Sequence, residues 1–198
     1  LERSAASRGN FKGHNVELAQ KALERLVKTQ DRSLLPALMD AARLNGPPEG
    51  WHLGFLLGPR INAGGRIGRA DLGVRLLLEG DVSEAARIAA ELDRLNNERR
   101  VIEQAAEAQA EAEALASLGL EDKGSVIVTA SEGWHPGVVG LVAARLKEKF
   151  ARPAFAIALE PGGIGTGSGR SIGGVDLGKA VRQAVADAGL AISNVNAF

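Results

Sequence analysis

The longest regular pattern in the sequence begins at Asp81. Asp81 and Glu84 stand in capping-box spacing, and Ile88, Leu92, Leu95, Ile102, Ala105 and Ala112 follow at helical intervals along a single seam. A helix from Val82 to about Ser117 would reach roughly 54 Å at ~1.5 Å per residue, well beyond the width of a small domain. Such a rod connects two bodies. A coiled-coil dimer arm is the rival reading, but the alanine-rich second half and the polar Arg99 and Gln109 on the seam weigh against a strong zipper, and a monomer is expected.

The segments on either side differ in kind. Asn15 to Lys28 places Val16, Ala19, Leu23, Leu26 and Val27 at helical spacing behind a possible Asn15 cap. A second helix, capped by Ser33, carries Leu34, Leu35, Leu38, Met39 and Ala42 and stops at Asn45, Gly46, Pro47 and Pro48. After Gly119 the pattern becomes that of an α/β unit. Ser125 to Ala130 reads as a buried strand, Pro136 to Phe150 as a helix, Ala154 to Leu159 as a second strand and Gly162 to Ser171 as a glycine-weakened third. Asp176 caps a last helix that runs to Ala188. The expected fold class is α/β: a helical N-terminal part and a long connecting helix, followed by a small mixed-sheet α/β domain beyond the loop at Gly119 to Gly124.

Composition narrows the function classes. The 198 residues suffice for an apolar core, and no stretch of about eighteen apolar residues exists to span a bilayer. The charged start LERSAASRGN lacks the apolar run of a secretory signal, and the chain has no Cys, so disulfide scaffolds and cysteine-ligated zinc are excluded and a cytoplasmic location without membrane contact is expected. The net charge of zero is a cancellation. Up to Arg75 there are 12 basic and 7 acidic residues, from Leu76 to Asp122 there are 4 and 12, and from Lys123 onward 8 and 5. Two basic regions flank an acidic one, so a local phosphate-binding surface survives the global balance.

Several chemistries fail on inspection. His14, His52 and His135 lie far apart and none sits in a metal-ligating motif, so no metal site is expected in this chain. Ser131 and His135 lack the nucleophile elbow and a third partner. GGVDLGKA, residues 173–180, has Ala180 where a phosphate loop needs a hydroxyl, and GIGTGSGRS places Arg170 at the third glycine of the dinucleotide fingerprint.

What remains is a recurring association of arginine with glycine. Arg60, Arg66 and Arg69 sit in GPRINAGGRIGR and Arg170 in GTGSGRS, in a chain where 25 of 198 residues are glycine. Missing side chains let backbone amides approach an anion, and a guanidinium clamps phosphate oxygens through two parallel bonds. The alternative is that the glycines only make turns and the arginines face water. EGWHPGVVG follows a strand and opens a helix, with Pro136 in the first turn, which would put free amides beside Trp134 and His135. Trp134 could stack on a base and His135 could donate to a phosphate, or Trp134 could plug the core while His135 caps.

GPRINAGGRIG, ELDRLNNERR, EGWHPGVVGLVAARL and GSGRSI, in that order, resemble the RecJ single-strand-specific exonucleases of the DHH phosphoesterase superfamily. The resemblance covers roughly Lys12 to Leu190. It implies an enzyme that hydrolyses single-stranded DNA from the 5′ end with Mn²⁺ or Mg²⁺, in recombination and repair. Residues 1–80 would be the helical end of the catalytic-core region, 81–118 the connecting helix and 119–198 a DHH-associated α/β domain incomplete at its C-terminus. By motif match Arg60, Asn62 and Arg66 would face the strand-binding cleft, Ser168, Gly169 and Arg170 would hold DNA phosphates, and Trp134 and His135 would line the same cleft. The metal-binding DHH motifs are absent from the sequence, and AISNVNAF stands where the family's glycine- and histidine-rich motif is expected. The chain therefore reads as a fragment or incomplete product that binds DNA without catalytic residues or cofactor of its own. A related phosphoesterase acting on short oligonucleotides or small phosphate esters is the alternative.

Overall fold

The computed structural model describes residues 34–46, 49–119 and 124–189. The helix expected over Asn15 to Lys28 and the Ser33 cap lie outside them. Two compact units divide the chain, residues 1–100 and 101–198.

The first unit is helical. Helix α1 (Leu34–Ala41) buries Ala37 and Leu38, and the chain leaves it through Arg43 at φ 54° and Gly46 at φ 96°. Helix α2 (Gly50–His52) opens on a capping box between Glu49 and His52. It passes through a five-residue π-helical stretch, Leu53–Leu57, into α3 (Gly58–Ile67). The wider stretch has a local cause: Pro59, next in line, has no N–H to donate, and the Gly58 amide bonds instead to the Leu53 carbonyl five residues back.

GPRINAGGRI is thus a helix and not the glycine loop that its composition predicts. Gly64 and the following Gly68 serve packing, whereas a Cβ on Gly65 would meet open space. A Cβ on Gly64 would lie 2.7 Å from the Arg69 carbonyl oxygen and 3.3 Å from Leu92 Cδ2, and one on Gly68 would lie 2.8 Å from Leu95 Cδ1. Helix α4 (Leu72–Leu78) crosses α3 equally closely, with Gly73 against the Ile61 carbonyl. At Gly64 close approach to neighbouring elements outweighs the ~1 kcal/mol helix penalty of glycine.

Helix α5 (Val82–Leu118) runs for 37 residues with no internal Gly or Pro, and Asp81 Oδ1 accepts from the Glu84 amide at its start. Ala85, Ile88, Ala89, Leu92 and Leu95 enter the core of the first unit with Leu38, Leu57, Ala63, Leu72 and Leu76. The boundary between the units falls inside α5. Beyond it the buried positions are Ala106, Ala110, Ala114 and Leu118, while the expected seam members Ala105 and Ala112 are exposed. The expected seam advanced by sevens, and a seven-residue step drifts about 20° from a straight helix. Within the second unit the buried residues Ala106, Ala110, Ala114 and Leu118 instead advance by fours, the helical step that keeps successive turns on one face, and Ala105 and Ala112 fall off it.

In the second unit, β1 (Ile127–Ser131), α6 (Val139–Phe150), β2 (Ala154–Leu159), β3 (Gly165–Arg170) and α7 (Leu177–Asp187) follow in order. The sheet order is β1-β2-β3, with β1 parallel to β2 and β2 antiparallel to β3. Ala154, Ala156 and Ala158 of β2 are buried, as are Val139, Val142, Ala143 and Leu146 of α6, which packs on β2 and β3. Ala151, at φ 51°, ends α6, and Asp176 caps α7 by accepting from the Lys179 amide. The strands and both helices stand within three residues of their sequence-based positions.

Candidate nucleic-acid interface

Strand β3 is an outer strand of the described sheet, and its alternation sorts its residues. Ser168 and Arg170 pair with Ala156 and Ala154 and lie on the face covered by α6. The glycines take the other face, where β2 side chains lie over them: a Cβ on Gly169 would meet Phe155 Cε1 at 2.6 Å and Leu177 Cδ2 at 2.9 Å. Gly169 therefore belongs to the packing, and its carbonyl accepts from Arg170 Nη1 at 2.8 Å.

Arg170 Nη1 also donates to Ser168 Oγ at 2.8 Å. The guanidinium folds back along the strand against the first turn of α6, where a Cβ on Gly140 would stand 3.0 Å from Arg170 Nη2 and 3.3 Å from Ser168 Oγ. Glycine at 140 makes room for this pair. Arg170 is exposed, and among the described residues no carboxylate pairs with it. Such an exposed guanidinium can donate to an anion through its remaining N–H groups. Gly140 was not singled out from the sequence, although a glycine two residues into a helix is a signal of close approach.

His135 and Trp134 occupy the turn before α6. His135 Nδ1 accepts from the Gly137 amide at 3.0 Å, so the neutral ring carries its proton on Nε2 and can donate there. Trp134 is only 6% exposed, and its Nε1–H donates to Gln109 Oε1 at 2.9 Å. The expected base-stacking platform is instead a core side chain, since stacking needs an open ring face.

In the first unit, Asn62 and Arg66 stand one turn apart on α3, Asn62 exposed and Arg66 half-buried. Arg60 points elsewhere. Its Nε donates to Asp93 Oδ1 at 2.8 Å and its Nη1 to the Leu56 carbonyl at 2.7 Å, leaving the side chain 12% exposed. The expectation that Arg60 faces an open cleft is corrected by this pairing: its charge is already met by Asp93. The structure thus groups Asn62 with Arg66 on one unit, and Ser168 with Arg170 on the other.

Among the described residues no group of three or more His, Asp or Glu could hold a metal ion, and the residues present do not fit the Mn²⁺ or Mg²⁺ that the resemblance implies. His52 and His135 each use Nδ1 to accept a backbone amide. Ser131 Oγ is engaged with Gln109 and the Gly133 amide rather than with His135. No helix among the described residues is long and apolar enough to cross a membrane.

The family model described as the DHHA1 domain matches residues 123–189, the span from β1 through α7. Residues 123–189 are thus similar to a DHHA1 domain. Similarity extends well beyond it. The chain is 40% identical over 164 residues to the single-stranded-DNA-specific exonuclease RecJ of Bacillus subtilis, covering 82% of this chain and 20% of that protein. It is 38% identical over 182 residues to RecJ of Escherichia coli, covering 86% and 30%. Among solved structures, RecJ of Thermus thermophilus in complex with Mg²⁺ matches at a TM-score of 0.66 and 31% identity, over 86% of this chain and 25% of that one. A manganese-bound exonuclease RecJ matches at 0.64 and 30%, over 90% and 43%. The chain spans less than a third of the two curated relatives named here. Ser168, Gly169, Arg170 and Gly140 lie inside the span that the DHHA1 model matches, whereas α3 and α5 lie in the part that only the RecJ relatives match.

Proposed function

We propose that this chain is the strand-gripping portion of a RecJ-like 5′→3′ exonuclease that degrades single-stranded DNA in recombination and repair. The observation that carries the reading is the exposed Arg170, braced on Ser168 and fitted against Gly140, with no carboxylate among the described residues to neutralise it. Its work is to bind and orient the phosphodiester backbone. In the same unit His135 Nε2–H is a further donor to phosphate, and Asn62 and Arg66 are separate candidates on the first unit. Hydrolysis is assigned to metal-holding residues outside the described ones. The similarity to RecJ exonucleases supports this assignment over a hydrolase of small phosphate esters.

An oligothymidylate length series tests it. Affinity of the chain should rise with length up to about 4 to 16 nucleotides, the footprint of a backbone-tracking groove. Binding that is already complete with a mononucleotide would contradict a strand grip.

A further inference from the structure

We propose that Gln109, on α5 and outside the DHHA1 domain, is the positioning residue that sets the Arg170 site. The inference deepens the phosphate-binding reading and rests on it. Gln109 is a polar residue in an alanine-rich run of α5, between the buried Ala106 and Ala110. Its amide makes two bonds at once. Oε1 accepts from Trp134 Nε1–H at 2.9 Å, and Nε2 donates to Ser131 Oγ at 3.1 Å. One turn further along, Glu113 Oε2 accepts from the Ala130 amide at 3.3 Å. Together these side chains grip the end of β1 and the turn that follows it.

That turn leads directly into α6. A buried indole N–H left without an acceptor costs a full desolvation penalty, so Gln109 determines where Trp134 comes to rest. Val138, four residues on, is fully buried, and its amide bonds back to the His135 carbonyl, which makes the turn a short, tied connection. Gly140 then stands where one added carbon would already lie 3.0 Å from Arg170 Nη2. With so little clearance, a displaced turn moves the start of α6 against the guanidinium and the Ser168 hydroxyl. A side chain that merely satisfied the indole would leave Arg170 untouched when removed, and this separates the two roles.

The test uses the full 198-residue chain, as wild type and as Gln109→Leu, Gln109→Glu and Trp134→Phe. Amide and side-chain NMR signals are followed for the Trp134 indole N–H, Gly140, Ser168 and Arg170, alongside affinity for an oligothymidylate of about 20 nucleotides. Gln109→Leu should speed Trp134 indole exchange about tenfold, shift the Gly140, Ser168 and Arg170 signals and weaken the oligonucleotide about fivefold. Gln109→Glu, which keeps an acceptor for the indole, should recover most of each effect. Trp134→Phe should displace the same three signals, so it carries the test if Gln109→Leu does not fold. Faster indole exchange with unmoved Gly140, Ser168 and Arg170 signals would overturn the proposal. Because those signals are read without DNA, a wild-type chain that fails to bind the oligonucleotide counts against the strand-binding function separately from the positioning role.

Discussion

Arg60 Nε and Asp93 Oδ1 stand 2.8 Å apart, and this pair ties α3 to α5 within the first unit. With side-chain exposures of 12% and 27%, both groups are largely withdrawn from water. Removing either partner leaves the other charge partly buried. Arg60→Ala should therefore lower the free energy of unfolding by about 2 kcal/mol in urea titrations. It should leave the salt dependence of oligonucleotide binding nearly as in the wild type. A stable Arg60→Ala chain with a reduced salt slope would assign Arg60 to the DNA instead.

Gly64 offers a second test of what the glycines do. Its missing Cβ would sit 2.7 Å from a backbone oxygen, an obstacle that cannot rotate away. Gly64→Ala should cost about 1–3 kcal/mol through overpacking, despite the better helix propensity of alanine. A stabilised Gly64→Ala protein in thermal melts would restore the view that this glycine serves an anion.

Gly140 should behave in the opposite way. Its neighbours are the ends of the Arg170 and Ser168 side chains, which can move, so Gly140→Ala should gain up to about 1 kcal/mol of helix stability. The same methyl displaces the guanidinium from its place. Oligonucleotide affinity should drop severalfold while the melting temperature holds or rises, a split that a general folding defect does not produce.

The acidic limb of the stability profile follows from the surface ion pairs of the first unit. Hydrogen bonding to Arg69, Arg87 and Arg94 lowers the carboxyl groups of Asp71, Glu84 and Glu91, respectively, below their ordinary values of 3.8, 4.5 and 4.5. A carboxyl depressed in the folded state stabilises above its unfolded value, and that contribution is lost as the pH falls through the folded one. Melting temperatures should accordingly decline below pH 4.5, and less steeply in high salt, where exposed pairs are screened. An unchanged slope in high salt would place the acid sensitivity elsewhere.

Much of this architecture is legible in the amino-acid order. The start of α5, the limits of β2 and the Asp176 cap follow from spacing and composition alone, because local pattern and tertiary burial agree there. Three features are not. Helix α3 contains Pro59, Gly64 and Gly65, which argue for a loop until the π-helical stretch and the closeness of Leu92 and Leu95 are known. The buried face of α5 departs from a seven-residue repeat only over many turns. The place of Trp134 depends on Gln109, 25 positions earlier, a residue noticeable in the sequence only as a polar intrusion. At Ser168 and Arg170 the motif points to two side chains that the structure pairs with each other, while their glycine neighbours serve β2 packing.

A contact between Arg170 and the phosphodiester backbone registers in the salt dependence of binding. For single strands the slope of log K against log salt is about −0.7 per neutralised phosphate. Arg170→Ala should weaken oligothymidylate binding and make that slope shallower by about 0.7, while Lys147→Ala on the far end of α6 changes neither. An Arg170→Ala chain with wild-type affinity and slope would contradict the account.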